Sequence, residues 1–196
     1  MIDCAIEAIA RVGQASSDFD LNPDFKLPQA QKLRPAGVLI CLAEENDEWT
    51  MYLTKRSSAL KHHPGQIAFP GGKQEASDVD IVATALREAH EEIGLPPENL
   101  RVLGTLPPHV TVTSFTMTPV IALLETKFNI TPDTGEVQEV FTVPLSHVLN
   151  PENYSVQSRR WRGRTRSYYC VPYGPYYIWG ATARILRGWA EAAHTI

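Results

Sequence analysis

The sequence contains 196 residues, of which 43% are hydrophobic and 20% are charged. This composition is typical of one globular domain and excludes collagen-like, disordered and disulfide-stapled classes. The formal net charge of −4 argues against a nucleic-acid or anionic-membrane partner, because those partners need a basic field. No apolar run reaches the roughly 18 residues of a membrane helix. Three cysteines without a close pair, and an N-terminus without signal-peptide features, predict a cytoplasmic protein.

The N-terminal part of the chain predicts a short helix followed by a polar arm. Isoleucines recur at helical spacing over residues 1–12, whereas residues 13–35 are polar and contain three prolines. We therefore divide the chain into an N-terminal helix and arm, residues 1–34, and one larger domain, residues 35–196. A homodimer formed through this arm, or through a later hairpin, is a further hypothesis.

The rest of the chain predicts several strands and two helices. Apolar and β-branched runs predict strands over residues 36–43, 49–54, 100–106, 117–124 and 138–143, and a hairpin over 154–172. Apolar residues at helical spacing predict a helix over residues 79–93, which Gly94 ends, and another over 179–193. Because strands and helices do not alternate regularly, we predict an α/β (α+β) sandwich in which helices flank a mixed β-sheet.

Three carboxylates share one face of the predicted helix over residues 79–93. Glu88, Glu91 and Glu92 are spaced i, i+3 and i+4, so they are neighbours on the helix surface. Like charges at this spacing repel, and a divalent cation that prefers oxygen ligands, Mg²⁺ or Mn²⁺, would neutralise them. Arg87 lies four residues before Glu91 and can orient the cluster. An exposed acidic helix face is the alternative interpretation.

Segment 72–95 resembles the Nudix box, Gly-x5-Glu-x7-Arg-Glu-U-x-Glu-Glu-x-Gly-U, in which U is apolar. From Arg87 onward the box is matched in full. In the first half, Asp78 stands where the box has Glu, and the stretch to Arg87 is one residue longer. Glu75, Asp78 and Asp80 therefore all stay open as the first acidic residue, and either aspartate could cap the helix.

The region upstream is similar to an additional signature of the coenzyme A pyrophosphatase branch of Nudix hydrolases, Leu-Leu-Thr-x-Arg-(Ser/Ala)-x3-Arg-x3-Gly-x3-Phe-Pro-Gly-Gly. Here the signature runs over residues 52–72, with Tyr52 in place of the first Leu and Lys61 in place of the second Arg. The resemblance covers about residues 34–190 and implies the Nudix fold. It also implies a hydrolase that cleaves the pyrophosphate of coenzyme A, or of its derivatives, to 3′,5′-ADP and 4′-phosphopantetheine.

The same resemblance implies the residues of the site. The implied metal ligands, for Mg²⁺ or Mn²⁺, are Glu88, Glu91, Glu92 and the carbonyl of Gly72. The implied substrate-binding residues are Arg56, Lys61, Gly65, Phe69 and Gly71. The implied catalytic residues are Arg87, Glu91, Glu92 and an acidic residue outside the box, for which Glu136 ranks slightly ahead of Glu139.

Other interpretations stay open beside this one. The same chemistry could act on NADH, ADP-ribose or a dinucleoside polyphosphate, and a Nudix-fold module could bind a ligand without catalysis. The intact set of helix carboxylates disfavours the second possibility. Arginines at positions 159–166 are interpreted first as an exposed hairpin, and the aromatic residues between 168 and 179 as core and loop packing. The expected partner is a small-molecule substrate, with no nucleic acid and no membrane.

Overall fold

The structure is a computed structural model that describes residues 1–25, 32–161 and 163–196. The middle of the predicted arm, residues 26–31, and Arg162 of the arginine cluster lie outside the described residues. Helix α1 spans Ile2–Ile9 and occupies most of the predicted N-terminal helix.

A mixed sheet forms the centre of the protein. The strands described in it are β1 Ser16–Ser17, β2 Arg34–Glu45, β3 Glu48–Arg56, β4 Ile67–Ala68, β5 Gly71–Lys73, β6 Leu100–Thr105, β7 His109–Val110, β8 Phe115–Leu124 and β9 Val137–Pro144. Strand β2 is central, since it runs parallel to β8 and antiparallel to both β3 and β5. Strand β9 continues the sheet on the other side of β3. Two further strands, β10 (Ser155–Trp161) and β11 (Arg164–Cys170), form a separate antiparallel hairpin.

Helices cover both faces of the sheet. Helix α2 (Ile81–Ile93) packs on one face, where its residues Ala85 and Ala89 join Leu39 and Cys41 of β2 in the core. Helices α1 and α4 (Ala181–His194) pack on the opposite face together with the short helix α3 (Leu145–Val148). This arrangement confirms the predicted sandwich of helices around a mixed sheet.

The buried indole of α4 ties the N-terminal helix to the main core. The Trp189 Nε1–H donates to the carbonyl of Ala5 over 3.0 Å, and both residues are fully buried. Farther along the arm, the amide of Asn22 donates to the Ser167 carbonyl of β11 over 2.8 Å. These contacts attach the N-terminal segment to the sheet and the hairpin, and the boundary at residue 34 stays a prediction about domain organisation.

The longer predicted elements are confirmed, whereas the shortest ones are new. Strands β1, β4, β5 and β7 and helix α3 contain two to four residues each, which is too short for a periodic pattern. The helix predicted over 79–93 begins at Ile81, because the Asp80 side chain accepts the N–H of Ala83 over 2.7 Å as its cap. Its last residue is Ile93, and Gly94 follows as the C-cap, with a φ of 73° that suits a residue without a side chain. The last helix begins at Ala181, two residues later than predicted.

Candidate active site

The guanidinium of Arg87 lies at the centre of the polar face of α2. It makes a two-pronged contact with Asp78, with Nε 2.9 Å from Oδ1 and Nη2 3.0 Å from Oδ2. The same group contacts Glu88 Oε1 at 3.1 Å and Glu91 Oε2 at 2.9 Å. A bidentate arginine–carboxylate pair fixes orientation as well as charge. Asp78 therefore holds Arg87 in the position from which it reaches both glutamates.

This geometry separates the three acidic residues that the sequence leaves open. Asp78 also accepts the backbone N–H of Glu75 over 2.8 Å and the hydroxyl of Thr84 over 3.0 Å. Hydrogen bonds from the Arg87 guanidinium and from this N–H hold the pKa of Asp78 below its usual value of 3.8. Asp80 caps the helix, and Glu75 is exposed. Asp78 thus supports the site through Arg87.

Glu92 is the buried carboxyl of the cluster, with only 4% of its surface exposed. The backbone N–H of Gly71 donates to its Oε2 over 3.1 Å, and Nη1 of Arg56 lies 3.8 Å from its Oε1. Burial raises the pKa of Glu92 to about 8, and the charges of Glu88 and Glu136 act in the same direction. The hydrogen bond from Gly71 and the charge of Arg56 oppose this rise only in part.

Glu88 lies directly against the Gly-Gly turn that precedes the helix. A Cβ atom added at Gly72 would stand 2.5 Å from the carboxylate of Glu88, so a residue with a side chain does not fit there without displacement. Burial raises the pKa of Glu88, and the neighbouring charges of Glu91 and Glu136 contribute to the rise. The absence of a side chain at Gly72 therefore allows the backbone there to lie close to the Glu88 carboxylate.

Glu136 and Glu139 occupy different surroundings. Glu136 stands just before β9, where its backbone carbonyl accepts the N–H of Ser57 over 2.8 Å, and its charge acts on both Glu88 and Glu92. Glu139 instead accepts the hydroxyl of Tyr176 over 2.5 Å. The structure therefore brings Glu136 near the carboxylate cluster, while Glu139 lies beside an aromatic ring.

The residues predicted to bind substrate fall into three groups. Arg56 and Gly71 both contact Glu92, so they belong to the carboxylate cluster. Lys61 is exposed on the loop between β3 and β4, and Gly65 lines an open cleft together with Lys55. The remaining residue, Phe69, has 3% of its surface exposed and packs in the core, so its ring offers almost no surface to a substrate.

The chemistry of the carboxylate cluster suits a divalent cation. The donor groups are oxygen atoms, as Mg²⁺ and Mn²⁺ prefer, and the missing side chain of Gly72 leaves its backbone close to the Glu88 carboxylate. As they stand, no three acidic, histidine or cysteine side chains within the described ranges converge into a finished metal cluster. Glu91, 57% exposed, points to Arg87 instead. A surface ion pair of this kind contributes only about 0–1 kcal/mol, so little opposes its rotation.

One feature of the site was not predicted from the sequence. Tyr176, Tyr177 and Trp179, which the sequence analysis assigns to core and loop packing, line an open cleft of about 440 Å³ together with Lys55. The dense run of aromatic residues before α4 is the signal that could have indicated it. The run alone does not show which surface the rings face.

Residues 33–162 match the family model of the NUDIX domain, which is two thirds of the chain and contains β2 to β9 with α2. The chain belongs to the Nudix family. Nudix hydrolases act on pyrophosphate bonds of small nucleotide-type molecules, and they generally use divalent metal ions such as Mg²⁺ or Mn²⁺. Within the described residues, no helix has the length and apolar character needed to cross a bilayer.

Relatives of this Nudix chain are found in bacteria and plants. It is 38% identical over 179 residues to the uncharacterized Nudix hydrolase NudL of Enterobacter sp. strain 638, covering 86% of this chain and 93% of that protein. It is 40% identical over 191 residues to the mitochondrial Nudix hydrolase 15 of Arabidopsis thaliana, covering 94% of this chain and 66% of that protein. The crystal structure of a MutT/nudix family protein from Enterococcus faecalis superposes with a TM-score of 0.54 at 16% identity. That match covers 85% of this chain and 64% of the other, and it supports the fold.

Proposed function

We propose that this Nudix hydrolase is a coenzyme A diphosphatase. It hydrolyses the pyrophosphate of coenzyme A, or of a coenzyme A derivative, to 3′,5′-ADP and 4′-phosphopantetheine. The observation that carries the proposal is the position of Arg56, from the additional signature upstream of the Nudix box, 3.8 Å from Glu92. A guanidinium at that place can meet a phosphate oxygen of a substrate lying over the carboxylates.

The protein residues divide the work of this hydrolysis. Water adds to one phosphorus, and the bond from that phosphorus to the bridging oxygen breaks. Each fragment keeps one of the two phosphates of the pyrophosphate, and the nucleotide fragment also keeps its 3′-phosphate. Glu88, Glu91, Glu92 and the Gly72 carbonyl are the proposed ligands of Mg²⁺ or Mn²⁺, which would screen the pyrophosphate charge and activate water. Glu91 or Glu92 takes the proton of the attacking water, with Glu136 as an additional acidic group. Arg87 keeps the glutamates oriented, and Arg56 holds the substrate.

Product identification tests the proposal most directly. The purified protein is incubated with coenzyme A and Mn²⁺, and the products are separated and weighed by mass spectrometry. Adenosine 3′,5′-bisphosphate and 4′-phosphopantetheine are the expected products, and the Glu92→Gln variant should form neither. A panel with NADH, ADP-ribose and a dinucleoside polyphosphate tests the substrate. If coenzyme A turns over no faster than ADP-ribose, the proposed substrate is wrong.

We also propose that the protein works in a reducing compartment such as the cytoplasm, and that it forms homodimers. Cys41 and Cys170 are buried free thiols, and burial raises the pKa of Cys41 to about 12, so that thiol is unreactive. The N-terminal arm and the β10–β11 hairpin are the two alternative surfaces for this association. Analytical ultracentrifugation at two protein concentrations tests whether the chain dimerises.

A further inference from the structure

An open cleft of about 440 Å³ lies at the end of β3, where Lys55 precedes Arg56. Lys55 and Gly65 form one wall, and Tyr176, Tyr177 and Trp179 form another. A volume of this size falls within the usual range for small-molecule sites. The Nudix box contributes none of these five residues, so the cleft adds chemistry that the reaction centre itself does not contain.

Backbone contacts join the cleft to the candidate active site. Lys55 precedes Arg56 in β3, and the N–H of Gly65 donates to the Arg56 carbonyl over 3.1 Å. Glu139, which is opposite Lys55 in the β3–β9 pairing, also lines the cleft. Arg56 in turn reaches Glu92. Lys55 and Arg56 are thus about 3.4 Å apart along the backbone of β3, and because consecutive side chains of a strand point to opposite faces, the cleft and the carboxylates lie on the two sides of the same strand end.

The three rings of the cleft differ in how much of their surface is available. Tyr176 stacks on Phe141 with 3.6 Å between ring centroids, and its hydroxyl donates a hydrogen bond to the Glu139 carboxylate over 2.5 Å. The guanidinium of Arg159 lies 4.2 Å from the ring centre of Trp179. Tyr177, in contrast, keeps 46% of its surface exposed. Two rings are thus held in place as walls, and Tyr177 can offer an open face to a ligand.

We propose that this cleft binds the adenosine 3′-phosphate portion of the substrate, an inference that rests on the proposed function. A purine stacks on an open aromatic face, and the ammonium of Lys55 forms a charge-assisted hydrogen bond with the 3′-phosphate. The carboxylate of Glu139 can accept a hydrogen bond from the exocyclic amino group of adenine. The pantetheine portion offers amides and aliphatic carbons, which use neither an aromatic face nor a cation.

The order of the groups along the nucleotide is compatible with this placement. The 5′-oxygen of the ribose is bonded directly to the diphosphate, so base and diphosphate are separated by one sugar. With the diphosphate at Arg56, the nucleoside would extend past the end of β3 into the cleft. The 3′-phosphate then distinguishes this ligand from 5′-AMP, ADP-ribose and NADH, whose adenosine ribose carries none. Lys55 is therefore the residue that we assign to this discrimination.

Nucleotide binding without metal tests the inference separately from catalysis. Calorimetric titration of the full chain in EDTA compares 3′,5′-ADP with 5′-AMP. Lys55→Gln should weaken 3′,5′-ADP binding about tenfold or more and leave 5′-AMP binding unchanged, because only the first ligand has the 3′-phosphate. Tyr177→Ala should weaken both about tenfold through lost stacking, whereas Tyr177→Phe should bind both as the wild type does. Lys127→Gln, at an exposed lysine outside the cleft, is the matched control.

The outcomes separate this site from the proposed function. Wild-type binding of 3′,5′-ADP by Lys55→Gln, or coenzyme A hydrolysis by that variant at the wild-type kcat/KM, overturns the cleft assignment and leaves the diphosphatase proposal standing. Binding of 3′,5′-ADP that depends on Lys55, in a protein that leaves coenzyme A intact, supports the site and refutes the substrate. Stronger binding of 4′-phosphopantetheine than of 3′,5′-ADP in a Tyr177-dependent manner also overturns the assignment.

Discussion

Glu92→Gln is expected to stabilise the metal-free protein at alkaline pH while it abolishes hydrolysis. The carboxyl is buried, and its pKa is raised to about 8 from 4.5. Between these two pH values the folded protein keeps a proton that the unfolded chain releases. Because the folded state then binds more protons, its stability declines as the pH rises from about 4.5 to about 8. A glutamine has the same shape and never carries the charge.

The size of the effect follows from the same pKa. A rise from 4.5 to about 8 corresponds to at most about 4–5 kcal/mol, at about 1.4 kcal/mol per pKa unit. Glutamine keeps an oxygen for the N–H of Gly71 but loses the attraction to Arg56, which reduces the gain to about 3 kcal/mol. For a chain of this length, each kcal/mol shifts the melting temperature by about 2–4 °C. The variant should therefore melt at least about 6 °C above the wild type at pH 8.5.

Thermal unfolding in EDTA at pH 5 and pH 8.5 measures this difference. The variant should gain little at pH 5 and most at pH 8.5, and the comparison with wild type cancels the other titrating groups. Glu91→Gln is the matched control, because loss of its exposed ion pair should change the stability only slightly. Adding Mn²⁺ at pH 8.5 should stabilise the wild type more than the variant. If Glu92→Gln is no more stable than wild type at pH 8.5, the claim that ionisation of the buried Glu92 carboxyl destabilises the folded protein is wrong.

Three more substitutions test individual contacts of the site. Arg56→Gln should lower kcat/KM for coenzyme A by about 10–100-fold, measured by product release, because a charge-assisted bond to phosphate is lost. Asp78→Asn should reduce activity by about 10–100-fold, typical of residues that orient ligands, whereas Asp80→Asn keeps the helix cap and should stay near wild type in the same assay. Gly72→Ala would place a methyl group 2.5 Å from Glu88. It should raise the Mn²⁺ concentration needed for half-maximal rate, and an unchanged metal titration would show that this contact is irrelevant.

The helix and its carboxylates were predictable because they depend on local spacing. Apolar residues at intervals of three and four require one buried face on α2, and the same geometry places Glu88, Glu91 and Glu92 on neighbouring positions of one helix face. The strands around β2 were predictable for a similar reason, since their apolar runs are long. Each of these features is encoded within about fifteen consecutive residues.

The remaining parts of the site depend on contacts between distant segments. Asp78 could not be told from its acidic neighbours, because the turn between β5 and α2 decides which carboxylate meets Arg87. Glu136 could not be ranked above Glu139 from the sequence, because the β3–β9 pairing shifts register opposite Lys55 and Arg56, where β9 has one extra residue that interrupts its alternation of side chains. The aromatic cleft arises where the chain before α4 meets β3 and β9, so its position depends on the tertiary fold.

The end of β3 gives a mildly acidic protein two cations for the polyanionic substrate that we propose. Consecutive residues of β3 serve two surroundings: Arg56 reaches the carboxylates on α2, and Lys55 lines the aromatic cleft. Alternation of side chains along a strand makes this possible, and the register shift sits where the two surroundings meet. Positive charge is thus placed at two points of one strand, and the net charge of −4 does not reveal it. Substitutions at Arg56 should therefore affect all diphosphate substrates, whereas those at Lys55 should affect only ligands with a 3′-phosphate.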